Sequence, residues 1–270
     1  MPIVESLSSK GAVKQYTNQD IPSTGFIGNG ANWVAREVPL SLSQNLISVT
    51  FPAPQLDTSY VVFAMMENLV DANPQIQQVE ITNKTTSGFV AQWNMPLDSG
   101  NYTLTYILPS KEFAASETAI AINSTSLVDP FALFRASAVY PVIAVMQNLV
   151  DTNPQFQTIL VTNKTVTDAT LSWSHPTDTA NYQAVALFQG TVQQAINSGV
   201  SSAVVTLPVS YGTSANYGII VSMTNLVDPF PKFQPMIVTA KNPNSFTLNW
   251  PENTETANYQ LTCYTVSLTN

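Results

Sequence analysis

Carboxylate and amide side chains recur at fixed spacing in two copies of one phrase, and their oxygens could bind a calcium ion. The first copy, NLVDANPQ, places Asp71 and Asn73 two residues apart, and the second, NLVDTNPQ, does the same with Asp151 and Asn153. Oxygen ligands at alternate positions are typical of calcium loops. The third copy, NLVDPFPK, has Phe230 in place of the asparagine, and no third carboxylate lies close by in the sequence.

The same residues also suit tight turns that follow strands, and we favour this interpretation over a metal site. Asp and Asn side chains accept hydrogen bonds from backbone amides two residues further on, and proline fixes its own backbone angle. The apolar Leu69 and Val70 inside the first turn are expected to plug one end of the domain. We predict that no metal is bound and that three aspartates form structural turns: Asp71, Asp151 and Asp228.

No residue pattern in the chain predicts catalysis. His175 is the only histidine and Cys263 the only cysteine, which excludes multi-histidine zinc sites, cysteine metal sites and internal disulfides. The segment GFIGNG at 25–30 lacks the flanking strand and helix of a phosphate-binding loop. Glu252 and Glu255 resemble a solvated loop face. We predict a protein that is not an enzyme and needs no cofactor, with His175 exposed and Cys263 buried and inert.

Aromatic residues repeat as well, and aromatic rings stack on sugars in carbohydrate-binding sites. Trp93, Trp173 and Trp250 fit the inward face of a strand, which favours a place in the core over sugar contact. If the chain binds a ligand, the polar loop residues that follow these tryptophans are equally suited to contact it. These candidates are Asn94, Asp98, Ser174, Asp178, Asn253 and Glu255.

The chemistry recurs because the chain contains three copies of one unit. Asn68, Trp93 and Tyr102 each recur 80 residues later and again 77 residues after that. Constant offsets over three landmarks indicate whole units, and this period is too long for solenoid or propeller repeats. Within each unit, short runs rich in β-branched and aromatic residues alternate with turn residues at intervals of about ten, which is typical of an antiparallel β-sandwich.

We therefore predict an all-β protein of three tandem antiparallel β-sandwich modules that follow an extended N-terminal arm. The only helical candidates, KEFAASETA and TVQQAINS between the units, are short and weakly periodic. In the second unit AIAIN stands where the others have SVTFP or VVTLP, and an insertion containing Leu-Val-Asp-Pro-Phe follows it. The predicted boundaries are 1–38 for the arm and 39–109, 110–190 and 191–270 for the modules.

Charge and composition narrow the classes of function. Only 10% of the residues are charged, and nine Lys and Arg against 17 Asp and Glu give a net charge of −8. No basic stripe could neutralise phosphates, so we expect no nucleic-acid partner. No apolar run approaches the ~20 residues of a membrane helix, and the N-terminus does not read as a signal peptide. A surface rich in Asn, Gln, Ser and Thr suits extracellular or virion proteins.

The segment from Val49 to Ile107 resembles the H-type lectin domain. It contains a strand ending in Phe with a proline soon after, then a β-rich strand, a turn, and the step Ser87-Gly88-Phe89 into a strand that ends the domain. The resemblance covers about 60 residues of each unit. It implies a six-stranded antiparallel sandwich, often trimeric, as found in invertebrate lectins and in bacteriophage tail and adhesion proteins. The family's closing tryptophan is absent, and none of its sugar-binding residues maps onto this sequence.

Composition and resemblance together favour a virion component. We predict a non-enzymatic bacteriophage structural protein of the tail, baseplate or fibre that contributes to host-surface glycan attachment. Its partners would be other virion proteins, bound through the arm, further copies of itself in a trimer, and host carbohydrate, without membrane insertion. It would be made in the host cytoplasm without a signal peptide. A capsid (head) decoration protein and a free lectin are the alternatives.

Overall fold

The computed structural model describes residues 34–109, 115–130, 137–188 and 190–268, and all of its regular elements are β-strands. The strands of the first repeat are β1 (Val34–Pro39), β2 (Leu46–Thr50), β3 (Phe63–Asn68), β4 (Glu80–Thr85), β5 (Gly88–Gln92) and β6 (Tyr102–Leu108). Those of the second are β7 (Ala115–Ala119), β8 (Ser126–Pro130), β9 (Ile143–Asn148), β10 (Leu160–Lys164), β11 (Asp168–Ser172) and β12 (Tyr182–Leu187). Those of the third are β13 (Val192–Ala195), β14 (Ser202–Thr206), β15 (Tyr217–Asn225), β16 (Ile237–Asn242), β17 (Ser245–Asn249) and β18 (Tyr259–Ser267). The prediction of an all-β protein is confirmed.

The 18 strands form three six-stranded sheets, and each sheet combines strands of two repeats. The first has the order β1-β6-β3-β16-β17-β14, the second β2-β5-β4-β9-β12-β7, and the third β13-β18-β15-β10-β11-β8. Every repeat therefore divides its strands between two sheets, three to each. The repeats are interlocked through their sheets, although the sequence suggested modules joined end to end.

The repeats meet at three parallel strand pairs, whereas all other neighbouring strands are antiparallel. Ile81 of β4 pairs with Gln147 of β9, and the equivalent residues pair at the other two junctions. The first repeat joins the second, the second joins the third, and the third joins the first. We call this closed arrangement the ring, and its junction pairs are Ile81–Gln147, Val161–Thr224 and Val238–Glu67.

Each repeat has its own buried cluster, to which both of its half-sheets contribute. In the first repeat, Phe89 on β5 and Tyr106 on β6 pack in the same cluster, and Ile237 of the third repeat joins them. Burial of alternate residues explains the strand assignment, because successive side chains of a strand point to opposite faces. A fourth cluster is drawn from all three repeats and contains Ala35, Phe63, Ile107, Ile143, Val185, Leu187, Ile220, Tyr264 and Val266.

A lysine occupies the same position of each repeat, and two of the three lysines bind a carboxylate of the neighbouring repeat. The ammonium group of Lys241 lies 2.7 Å from Glu37 and 3.1 Å from Glu67, and that of Lys84 lies 2.5 Å from Glu117. The third lysine, Lys164, donates to the backbone oxygen of Tyr140 at 2.8 Å. It has no carboxylate partner among the described residues, and burial lowers its pKa.

The polar junctions also use tyrosine rings. Each of the three lysine ammonium groups lies 5.3 to 5.4 Å from the centroid of a tyrosine of its own repeat, at or just before the third strand: Tyr60, Tyr140 and Tyr217. A cation over the face of an aromatic ring is attracted by the ring's negative potential. This contact recurs in all three repeats, including the second, whose lysine has no carboxylate partner among the described residues.

The first strand begins inside the segment predicted as an arm. β1 starts at Val34, and Ala35 pairs with Ile107 and is fully buried. Residues 34–38 therefore belong to the first repeat. The remainder of the predicted arm, together with the GFIGNG segment, lies outside the described residues. Val34 pairs with Leu108, whereas Asn68 pairs with Tyr102, so the chain enters this half-sheet at the end opposite the NLVD turn.

Three segments that the sequence left weakly assigned or misaligned are edge strands, held by hydrogen bonds to the neighbouring strand. The two helical candidates contain the edge strands β7 and β13, which pair with β12 and β18. The apparent insertion in the second repeat contains β8, which pairs with β11 and matches β2 and β14. The same four letters, Leu-Val-Asp-Pro, form a strand at 127–130 and a turn at 226–229. Tertiary pairing overrides local preference in such short segments.

None of the described residues forms a helix long and apolar enough to span a membrane.

Candidate functional site

Each NLVD phrase is a turn held by its asparagine. The amide oxygen of Asn68 accepts hydrogen bonds from the backbone N–H groups of Val70 at 3.1 Å and Asp71 at 2.9 Å. Its amide nitrogen donates to the Asp71 carboxylate at 2.7 Å. The same three contacts recur around Asn148 and Asn225. We had expected the aspartate to cap the backbone amides, but the asparagine three residues earlier does so.

The aspartate of each turn instead holds a second loop of the same repeat. Asp71 accepts hydrogen bonds from Ser99 at 2.5 Å and from the amide of Asn101 at 2.6 Å. Asp151 and Asp228 bind the equivalent threonine and asparagine of their own repeats. The hydroxyl and amide donors lower the pKa of all three carboxyls. Their charge is therefore satisfied by three donors each, an arrangement suited to structural turns.

A calcium site at these turns is not supported by the geometry. Both carboxylate oxygens of each turn aspartate already accept hydrogen bonds from side chains. Within the described ranges, no group of three His, Cys, Asp or Glu residues is arranged to hold a metal ion. A cation would have to displace three donors before it could bind.

The tyrosine that opens the last strand of each repeat ties the turn to this loop. The Tyr102 hydroxyl accepts a hydrogen bond from the backbone N–H of Gln75 at 2.6 Å and donates to Asp98 at 2.9 Å. Tyr259 binds Lys232 and Glu255 in the same way. Burial raises the pKa of Tyr102 to about 12. Asp98 and Glu255, two of the candidate ligand residues, therefore already accept a hydrogen bond from a tyrosine.

A buried glutamine makes a further connection that sequence analysis missed. The side-chain oxygen of Gln77 accepts from the backbone N–H of Met95 at 2.8 Å. Gln157 and Gln234 bind the loop after the tryptophan in the same way. The signal was visible, because a glutamine recurs three residues after the proline in every copy of the phrase.

The tryptophans lie in the core, as predicted, and offer no face to a sugar. All three are at most 2% exposed. The indole N–H groups donate to the backbone oxygens of Gln44, Ser124 and Val200. Cys263 is buried, and its burial raises the thiol pKa. His175 is exposed, also as predicted, and bonds with Ser174 at 2.8 Å.

The loops of neighbouring repeats are in contact. The Gln92 side chain donates to the backbone oxygen of Thr152 at 3.3 Å, and Thr158 bonds with Gln78 at 3.0 Å. A shallow cleft of about 290 Å³ separates Ser174 of the second repeat from Phe233 of the third. We call the turns and loops of the three repeats together the turn face. It comprises residues 68–79, 93–102, 148–159, 173–182, 225–236 and 250–259.

All six candidate ligand residues belong to the turn face, and all are exposed. The structure brings them to one side of the ring but not into a single pocket. Two of them, Asp98 and Glu255, hold tyrosines. Asn94, Ser174, Asp178 and Asn253 have exposed side chains at the rim of their loops.

The turn face is acidic and carries exposed aliphatic side chains. Its segments contain seven Asp and Glu residues but only one lysine and no arginine. Val70 is 73% exposed, and Val150 and Val227 are each 70% exposed. The expectation that Leu69 and Val70 plug the domain is therefore wrong. The Asn and Asp side chains hold the turn by themselves, so the aliphatic pair points away from the core.

Three comparisons, with family models, with curated proteins and with solved structures, found no match to this chain. No family is assigned.

The hydrogen bonds of Asp151 predict how its variants behave. Asp151→Asn places an amide N–H₂ where an oxygen now accepts hydrogen bonds, so we expect it to lower the melting temperature by about 2–4 °C, no less than Asp151→Ala does. Asp178→Asn makes the same change in the same repeat at a carboxylate with no such donors, and should not lower the melting temperature. Thermal melts with and without a chelator test this. A mild Asp151→Asn variant, or a chelator-induced drop in the wild type, would restore the calcium interpretation.

Proposed function

We propose that the chain is a non-enzymatic structural protein of a bacteriophage tail, baseplate or fibre, with three β-sandwich modules in one ring. In this proposal each repeat is one sandwich, formed by its two half-sheets around their shared cluster. The H-type lectin resemblance implies a trimer, and the ring supplies three equivalent units within one chain. Assembly of several such chains stays a prediction.

The observation that carries the proposal is the polarity of the first half-sheet. The described chain enters at Val34, and the turn that begins at Asn68 lies at the other end of the same strands. Val34, where the described chain begins, therefore lies on a side of the ring away from the turn face. This arrangement suits a protein that is anchored through its N-terminal segment. Its turn face would then point outward, towards other virion proteins or a host surface.

The charge of the turn face restricts the host ligand. Seven carboxylates against one lysine repel sialylated or sulfated glycans, because like charges at close range destabilise a complex. The exposed Asn94, Ser174 and Asn253 side chains offer amide and hydroxyl groups suited to neutral sugar hydroxyls. We propose that the turn face binds neutral host glycans. The proposed role in virion assembly does not depend on this binding.

Deletion of residues 1–33 tests the anchor. The ring should fold with an unchanged melting temperature, because β1 is retained, while incorporation into virus particles should be lost. The matched control keeps residues 1–33 and replaces Asn94, Ser174 and Asn253 by alanine. That variant should be incorporated normally and should lose any binding on a glycan array.

Imaging of labelled particles decides between the locations. Label on the tail, baseplate or fibre supports the proposal, whereas label spread over the capsid would point to head decoration. Normal incorporation of the deletion variant would contradict the anchor. A wild-type protein that binds no glycan would leave the assembly role in place and remove the attachment role.

A further inference from the structure

Glu80 is a buried carboxyl at a position where the other two repeats have aliphatic side chains. It is the first residue of β4, and the repeat offsets place Leu160 and Ile237 at the same position of β10 and β16. Leu160 packs in the cluster of the third repeat, and Ile237 packs in that of the first. Each repeat thus contributes this side chain to a neighbour's core, and Glu80 is the one polar member of the set.

The Glu80 carboxyl is sealed from water and has no polar partner. The residue is 1% exposed, and neither side-chain oxygen has a hydrogen-bond partner. An ionised carboxylate in such a place is strongly disfavoured, whereas the neutral acid, which still lacks a hydrogen-bond partner, costs far less to bury. Geometry and burial therefore suit the protonated form.

The groups around Glu80 offer no positive charge. Burial raises its pKa most, and the neighbouring Asp178 and Asp151 of the second repeat raise it further. The other titratable neighbour is Tyr182, whose pKa is raised to about 12, mainly by burial and in part by the charge of Glu80. Tyr182 is therefore neutral at physiological pH and adds no charge to the site.

The remaining neighbours along the strands are already engaged. Gln92, opposite Glu80 on β5, donates to the second repeat at Thr152. Lys84, further along β4, is bound to Glu117 and to the backbone oxygen of Tyr60. No basic side chain is therefore left on β4 or β5 to neutralise an ionised Glu80.

We propose that Glu80 is a proton-dependent latch at the junction between the first and second repeats. As the neutral acid it fills its position as Leu160 and Ile237 fill theirs. Loss of the proton places a negative charge beside two aspartates in a sealed site. The charge reaches water only when β4 separates from the second repeat, so ionisation loosens the Ile81–Gln147 junction.

The direction of the pH effect follows from the raised pKa. The latch stabilises the ring fully below the ordinary glutamate pKa of 4.5, and this stabilisation is lost as the pH rises towards the folded value. The turn aspartates act in another window, because their lowered pKa values make stability fall only below about pH 3.8. Glu67 and Asp129 also have raised pKa values, so only a comparison of variants isolates Glu80.

Melting temperatures of the full chain between pH 4.5 and 8.5 test the latch in Glu80→Gln and Glu80→Leu. At pH 8 both variants should melt roughly 3 °C or more above the wild type. Near pH 4.5 the advantage of Glu80→Gln should vanish, and that of Glu80→Leu should shrink to what removal of the unpartnered polar atoms contributes. Glu252→Gln makes the same replacement at an exposed acid whose pKa is lowered by Lys232, and it should leave the profile between pH 4.5 and 8.5 unchanged. If one variant fails to fold, the other decides, since leucine is the side chain at position 160.

Hydrogen exchange locates the effect within the ring. Protection of the amides at 80–82 and 146–148 should fall between pH 5 and 8 in the wild type but not in Glu80→Gln. The Val161–Thr224 junction, with Leu160 beside it, is the internal control and should keep its protection. A Glu80→Gln variant with the wild-type pH profile, a lower melting temperature at pH 8, or equal loosening at both junctions would overturn the proposal.

Discussion

Replacing Trp173 by alanine is expected to lower the free energy of unfolding by about 3–5 kcal/mol, the range for a large aromatic side chain removed from a core. Trp173 is 2% exposed and packs in the cluster of the second repeat. Its N–H donates to the backbone oxygen of Ser124 at 2.8 Å, so the truncation also removes one of the two hydrogen bonds that this oxygen accepts, the other coming from the backbone N–H of Thr177. Equilibrium denaturation followed by circular dichroism measures the loss.

Phe230 provides the matched control for this truncation. It is an aromatic residue of the third repeat that is 92% exposed, so Phe230→Ala should change stability by less than about 0.5 kcal/mol. The ring leads to a second expectation. Each repeat pairs with both of the others, so destabilising one repeat should destabilise the whole ring. Trp173→Ala should therefore unfold in one shifted transition. Separate transitions, with only one moved, would show that the repeats fold independently.

Removing the charge of Lys241 should be nearly as costly. In Lys241→Met the buried Glu67 carboxyl loses its cation, and breaking a buried ion pair in this way typically costs 3–5 kcal/mol. Lys241 also contacts Glu37, so both carboxylates are left facing each other across the junction between the third and first repeats. Denaturation at pH 7 measures the effect.

The cost of Lys241→Met should shrink in acid. Burial raises the pKa of Glu67 even beside the lysine. Protonation at low pH therefore removes the charge that Lys241 balances, and variant and wild type should converge as the pH falls towards 4.5. Lys232→Met, at an exposed lysine paired with Glu252, should change little at any pH. A pH-independent loss in Lys241→Met would indicate a packing defect instead.

Local patterns determined the strands, the buried tryptophans and the positions of the turns. Side chains alternate between the two faces of a strand, so residues such as Phe89 and Ala91 are identified as inward-facing from the chain itself. Proline, asparagine and aspartate act on their own backbone, which is why the NLVD turns were located correctly. The separate roles of the two turn residues were not predictable in this way. Asn68 accepts the backbone hydrogen bonds of the turn, whereas Asp71 binds Asn101 in a loop 30 residues away.

Only the tertiary structure decided which strands are neighbours. Three similar units can stand apart or exchange strands, and the hydrophobic pattern of each unit is the same in both arrangements. Pairing between repeats placed Glu67 and Lys241 together across 174 residues of sequence. The same pairing turned Glu80, which reads as an ordinary polar residue of a strand, into a sealed carboxyl of a neighbour's core. Burial and charge compensation belong to contacts between distant segments, and the sequence around each residue does not contain them.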